Sequence, residues 1–290
     1  MAGAPEPAGQ AETSGTVPAY GFPPLFMTAW FATLPLGRPR NLGQEAERLF
    51  ARRAPAPVAL GTDHIPAAGT PFVLAMNHYE RPGLNVWWAA MWVSLILWRA
   101  RGEQPPVRWL IADQIHGYRV GPVRIPDAAM RWMVGRVARR YGALRVPRDG
   151  RAGSGRAQSL RRAGAALRGA GARPVGITPE AGRGGERVLV TPEPNAGMAI
   201  AWLARRGTPI LPAGVFETRT AGEGADGSGP AVLTARFGPP LSLPWRGSGA
   251  ERTGREQHGE AVMRAIAAQL PPVLRGPYGA PAVGANGADR

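Results

Sequence analysis

Cysteine and lysine are both absent from this 290-residue chain, and long apolar runs are scarce. Without Cys there is no disulfide framework, no thiolate nucleophile and no Cys-ligated metal site. Without Lys there is no Walker-type phosphate loop: Gly182-Arg-Gly-Gly185 has neither the spacing nor the amine. No G-x-G-x-x-G follows a strand-like run, and no G-x-S-x-G elbow is present, which removes the dinucleotide-binding and α/β-hydrolase readings. The His residues are only four, His64, His78, His116 and His258, and no pair has metal-ligand spacing. Val86 to Trp98 is apolar except for Ser94, but is shorter than the ~20 residues a bilayer crossing requires. Tyr20 to Leu36 is apolar and aromatic, yet Pro23, Pro24 and Pro35 interrupt it and no basic segment precedes it. Membrane contact is therefore expected to be interfacial.

What the chain has in excess is arginine. All 35 basic residues are Arg, giving a net charge of +15 and a pI near 11.5. The lack of Lys fits a GC-rich coding bias, but the charge still favours a polyanion, either nucleic acid or an anionic membrane surface. Arg also pairs with phosphate in a bidentate manner. Helix-turn-helix, RNA-binding and zinc patterns are missing, and the tryptophans sit in an apolar run rather than among arginines. Nucleic acid is thus not the expected partner.

Gly and Pro, at 40 and 31 residues, concentrate at 1–24, 219–230, 246–255 and 276–290. These read as a disordered head, an exposed loop, a linker and a frayed tail. Between them helices are expected at 39–53, 86–98, 127–140, 156–168, 195–206 and 256–270. Strands are expected at 58–61, 71–76, 107–112, 144–146, 174–178, 210–216 and 231–237. That alternation predicts an α/β fold: a single domain with a mostly parallel central sheet flanked by helices. The expected division is a disordered or membrane-interfacial segment at 1–38, a catalytic-type domain at 39–278 and a disordered tail at 279–290.

Three polar turns follow strand-like runs: Asn77-His78, Arg145 to Arg148, and Pro179-Glu180-Ala181-Gly182-Arg183. In a parallel sheet such turns converge on the C-terminal edge. They would supply an imidazole base, a carboxylate and guanidiniums for an anion. Such a set suits deprotonation of a hydroxyl on a phosphorylated substrate.

The series resembles the phospholipid/glycerol acyltransferase superfamily, whose best-known members are 1-acylglycerol-3-phosphate acyltransferases. Its first motif, N-H-x-x-x-x-D, is met by Asn77-His78 after an apolar strand. Its second, ending G-x-x-x-[IV]-x-R, is met by Gly142-Ala-Leu-Arg-Val146-Pro-Arg148. Its third, F-P-E-G-T-R, is answered by Thr178-Pro179-Glu180-Ala181-Gly182-Arg183, and its Pro-containing fourth by Pro209-Ile-Leu-Pro212. The tail VMRAIAAQLPPVLRGPYG is also similar to the family's ending, so the likeness covers about residues 40–278.

The resemblance implies a glycerol-phosphate-acyltransferase-like fold and transfer of a fatty acyl group from acyl-CoA or acyl-carrier protein to a lipid hydroxyl. His78 would be the general base, and Asn77, Arg148, Glu180, Gly182 and Arg183 would bind the acceptor or position one another. No cofactor is implied beyond the thioester co-substrate. The expected partners are a membrane lipid, the acyl donor and an anionic membrane surface, with acyl-carrier protein one candidate donor. The expected location is cytoplasmic, peripheral on the inner face of the cell membrane. The helix at 86–98 would face the lipid or the acyl chain, with plain core packing as the alternative for most of its residues. The chain departs from the first motif at Gly83, where the family has Asp; Glu80 is the nearest substitute as a catalytic carboxylate. That departure keeps a second expectation open, a lipid- or acyl-binding protein of the same fold that has lost turnover.

Overall fold

The structure, a computed structural model, describes residues 20–102, 106–113, 115, 119–120, 123–147, 153–169, 171–181, 188–219, 231–243 and 252–279. In chain order its elements are α1 (Pro24–Thr33), α2 (Leu42–Phe50), β1 (Val58–Leu60), β2 (Val73–Met76) and α3 (Val86–Ala100). Next come β3 (Arg108–Ala112), β4 (Arg119–Val120), β5 (Val123–Arg124), α4 (Asp127–Tyr141), β6 (Leu144–Val146) and α5 (Gly153–Ala166). The chain continues with β7 (Val175–Ile177), α6 (Ala196–Ala204), β8 (Ile210–Arg219), β9 (Ala231–Phe237) and α7 (Arg252–Ala267).

Among the described residues, seven strands form one sheet in the order β1-β9-β8-β2-β7-β3-β6. β8, β2, β7, β3 and β6 are mutually parallel; β9 runs antiparallel to β8, and β1 lies parallel to β9 on the outer edge. The α/β class with a mostly parallel sheet is therefore observed. Every residue of β2 is buried, as its continuous apolar run requires of a strand covered on both faces.

Helices α2 and α3 cover one face, while α5, α6 and α7 pack in series across the other. Asn85 starts α3 by accepting the Trp87 N–H at 3.1 Å. α3 is fastened to the sheet where the Trp109 indole N–H donates to Ser94 Oγ at 2.9 Å. Gly176, beside Trp109 on β7, makes room for that ring: an added Cβ would stand 2.6 Å from it. The turn after α7 approaches the sheet at Gly214, where a Cβ would stand 2.8 Å from the Gln269 carbonyl.

The tryptophan helix resolves to core packing. Trp88, Trp92 and Trp98 are buried, and only Trp87 reaches the surface. Trp88 stacks on Phe22 with centroids 4.6 Å apart and meets Phe50 edge-on at 5.4 Å, so its face is consumed inside the protein. The lipid-facing alternative for this helix therefore fails, because α2 already covers it.

Other differences are local. Pro24 stands at the first turn of α1, where a missing N–H costs nothing, so the Pro-rich segment begins a helix rather than preventing one. Two of the Gly/Pro-rich stretches include ordered residues: Tyr20 is buried, and α7 starts at Arg252. The 3₁₀ turn Gly276–Tyr278 packs in the expected tail, with Tyr278 buried.

Candidate active site

Register explains how the turns meet. Ala75 of β2 pairs with Ile177 of β7, so three residues further along both chains His78 lies level with Glu180. There the His78 backbone N–H donates to Glu180 Oε2 at 2.5 Å, and the Val190 N–H donates to Oε1 at 3.0 Å. Glu180 is only 1% exposed, with an N–H on each oxygen. It joins three segments of chain and positions the backbone that carries His78.

Asn77 works in the same way on the other neighbour. Its side chain donates to the Val215 carbonyl at 2.9 Å and accepts the Val215 N–H at 2.7 Å. The buried amide thus continues the β2–β8 pairing one residue past the last backbone pair, Met76 with Ala213. β8 runs on beyond the end of β2, and its projecting part supplies Glu217. Glu217 accepts from Arg81 Nε at 2.5 Å, from Arg81 Nη2, and from the Tyr79 hydroxyl at 3.1 Å. Both partners of this bidentate ion pair are buried, with side chains 2% and 8% exposed. Burial opposes the Arg81 charge, but the bond to Glu217 and its field outweigh it and the pKa rises.

The loop closes with a tight turn. Arg81 and Leu84 exchange backbone hydrogen bonds at 2.8 Å around Pro82-Gly83, and Gly83 has φ +79°. Pro followed by a left-handed Gly is the signature of a type II turn. The Gly83 carbonyl accepts the Tyr20 N–H at 2.6 Å, tying the segment before α1 to this loop. The position where the family has Asp is therefore a turn position that favours Gly. The Glu80 side chain makes no hydrogen bond or ion pair with His78 or any other described residue.

The structure brings together Asn77, His78 and Glu180 of the expected site residues. Arg148, Gly182 and Arg183 lie outside the described residues. β6, which leads into Arg148, stands three places from β2 in the sheet, about 14 Å at ordinary strand spacing. Sequence reasoning missed Arg81, Tyr79 and Glu217, whose partnership spans distant segments. It also missed Asp113, which follows β3 at the same sheet edge and has a buried Oδ1. An acid directly after a strand-like run was the available signal. Among the described residues no three His, Asp or Glu side chains converge as metal ligands.

Two predictions arise here. Ala181 has φ +50°, a left-handed conformation that costs a residue with a Cβ about 1 kcal/mol or more. The family motif has Gly at this place. Ala181→Gly is expected to raise stability by about 1 kcal/mol, read as a higher urea midpoint at unchanged slope. The second concerns pH. Burial pushes the Glu180 carboxyl above its usual range, and the bonds from His78 and Val190 pull it back only in part. As pH rises from about 4, the unfolded chain ionises at this position first. The folded state then loses part of its margin until the pH passes the raised pKa of Glu180. Glu180→Gln should remove that component while leaving one backbone N–H without an acceptor, a loss of about 1–3 kcal/mol. Urea midpoints of both proteins between pH 4 and 8 would show it; parallel pH profiles would contradict it.

No protein-family model matches the chain, and no curated protein does. Among solved structures, it is similar to the 1-acyl-sn-glycerophosphate (LPA) acyltransferase PlsC from Thermotoga maritima. The TM-score is 0.45 at 16% identity, covering 84% of this chain and 82% of that one. A likeness of that size decides nothing about activity, which has to be argued from the site.

Proposed function

We propose that this protein is an O-acyltransferase. In this reading it moves a fatty acyl group from acyl-CoA or acyl-carrier protein to a hydroxyl of a (lyso)phospholipid or glycerol-phosphate-like acceptor. The observation that carries it is the junction of two motif turns: Glu180 of Pro179-Glu180 holds the backbone of His78 on adjacent strands. His78 takes the proton from the acceptor hydroxyl as its oxygen attacks the thioester carbonyl carbon. The carbon–sulfur bond then breaks, and the imidazolium returns the proton to the departing thiolate. An ester and a free thiol result, with no cofactor consumed. Arg148 and Arg183 are assigned to the acceptor's phosphate, and Gly182 to a close approach of backbone to that group.

No helix among the described residues is long and apolar enough to cross a membrane. We place the protein peripherally, on the inner face of the cell membrane, within reach of a lipid acceptor. A second reading, an acyl- or lipid-binding protein without turnover, is favoured by Gly83 standing where the motif carboxylate belongs. Thiol release separates the two. Acyl-CoA and acyl-carrier-protein donors, offered with lysophosphatidate or glycerol phosphate, should yield thiol and ester with the wild type. Binding of acceptor with no thiol release from any pair would decide for the second reading.

A further inference from the structure

A second group of cations lies away from the His78 loop. Arg131, Gly135 and Arg139 recur every four residues along α4 and so share one helix face. Trp132 lies beside them, and Arg145 reaches over from β6 at the sheet edge. The Arg145 guanidinium rests against the helix at Gly135, where an added Cβ would stand 3.3 Å from Nη1. With Ala128, these residues line an open groove of about 390 Å³. No carboxylate among the described residues lines it, and the guanidiniums of Arg131, Arg139 and Arg145 make no hydrogen bond or ion pair with any described residue. Three guanidiniums facing one groove repel one another, and a bound anion would convert that repulsion into attraction.

The surroundings indicate which anion. The stretch from Tyr20 to Gly37 contains no charged residue, and no residue of α1 is buried. Leu25 is 85% exposed, Leu36 63% and Phe31 48%. This apolar helix is fastened to α4, the same helix that carries the groove. Trp30 Nε1 donates to the Tyr141 hydroxyl at 2.7 Å, and Arg140 Nη2 donates to Thr33 Oγ1 at 2.7 Å. Arg136 bridges the two features: its guanidinium lies 5.6 Å from the centre of the Trp132 ring, and Nη1 donates to the Pro35 carbonyl at 3.0 Å. Trp132 itself is half exposed. A soluble phosphate compound would have no use for exposed Leu25, Phe31 and Leu36. A bilayer surface takes both the apolar side chains and the cations.

We propose that the Arg131–Arg139–Arg145 groove seats the phosphate of an anionic lipid headgroup, while α1 and Trp132 lie in the interfacial layer of the bilayer. This inference deepens the reading of a lipid-directed enzyme and takes its motive from it. It makes the contact with anionic lipid specific, set by three named residues rather than by net charge spread over the surface.

The test is co-sedimentation of the full chain with vesicles at one fixed salt concentration, melting temperatures serving as the folding control. Vesicles of phosphatidylglycerol mixed with phosphatidylcholine should bind wild type much better than phosphatidylcholine alone. Each Arg near such a surface contributes about a factor of five, so R131Q/R139Q/R145Q should partition about 100-fold more weakly. R131K/R139K/R145K, which keeps the charge, should retain most of the binding, and Leu25→Ser should weaken it independently. A triple Gln variant that partitions like wild type would overturn the proposal. So would equal wild-type binding to neutral vesicles, or release from phosphatidylglycerol vesicles by micromolar inorganic phosphate. Groove-dependent vesicle binding without thiol release would sink the catalytic reading alone. Transfer to a soluble acceptor without groove-dependent binding would sink this one alone.

Discussion

Replacing His78 with alanine is expected to lower acyl transfer by about 10²- to 10⁴-fold, the usual contribution of a positioned general base. The loss should fall on kcat and on kcat/KM together, since the proton moves only as the acceptor attacks. Folding should hardly change, because the loop is secured by other groups. Asn77 binds Val215 through its side chain, and Glu180 takes the backbone N–H of residue 78, which alanine also possesses. His78→Gln is the sharper control, keeping the size and polarity of the side chain without its basicity. Both variants should melt like wild type while releasing little thiol. Undiminished turnover in a folded His78→Ala protein would remove His78 from the mechanism.

The second large effect should come from Glu217. Glu217→Ala would leave the Arg81 guanidinium buried without its carboxylate, and breaking such a pair costs about 3–5 kcal/mol. In a protein of this size that corresponds to a melting temperature lower by about 10 °C. Arg81→Ala should be costly for the same reason from the other side. The double variant should then be less destabilised than the sum of the singles, because neither charge is stranded in it. The pair also braces the segment from Tyr79 to Leu84 directly after His78. Glu217→Gln, which keeps a hydrogen-bond acceptor, should therefore lose less stability than Glu217→Ala but still reduce turnover. Additive single effects in the cycle, or an unchanged melting temperature in Glu217→Ala, would show that the pair is solvated and unimportant.

Periodicity and burial pattern carried much of the fold. The runs at 71–76, 107–112, 174–178 and 210–216 each occur as strands, and their alternation with helices gave the α/β class. The helix at 127–140 was legible from its apolar stripe, and Gly142 ends it in the left-handed conformation. In the segment before residue 38 the prolines bound a short helix, Pro24 at its first turn and Pro35 beyond its end, which local rules did not anticipate. Local rules also left the tryptophan helix undecided, because a strip of indoles has the same pattern whether it meets lipid or another helix.

Within the site, residue identity and strand context were enough to single out Asn77, His78 and Glu180 and to place them on one sheet edge. That much follows from local chemistry: a polar turn after a buried strand has to emerge where parallel strands end. Which groups touch was decided only by the tertiary structure. The strand order sets β7 and β8 on either side of β2, so Glu180 and Val215 become the neighbours of residues 77 and 78. The length of β8 carries Glu217 past the end of β2 to Arg81, 136 residues away in sequence. The chain alone determined which residues could do the chemistry, because side-chain type is local. Register and strand order assigned Asn77 and Glu180 to hold the loop that carries His78, because pairing between distant segments is a property of the folded sheet.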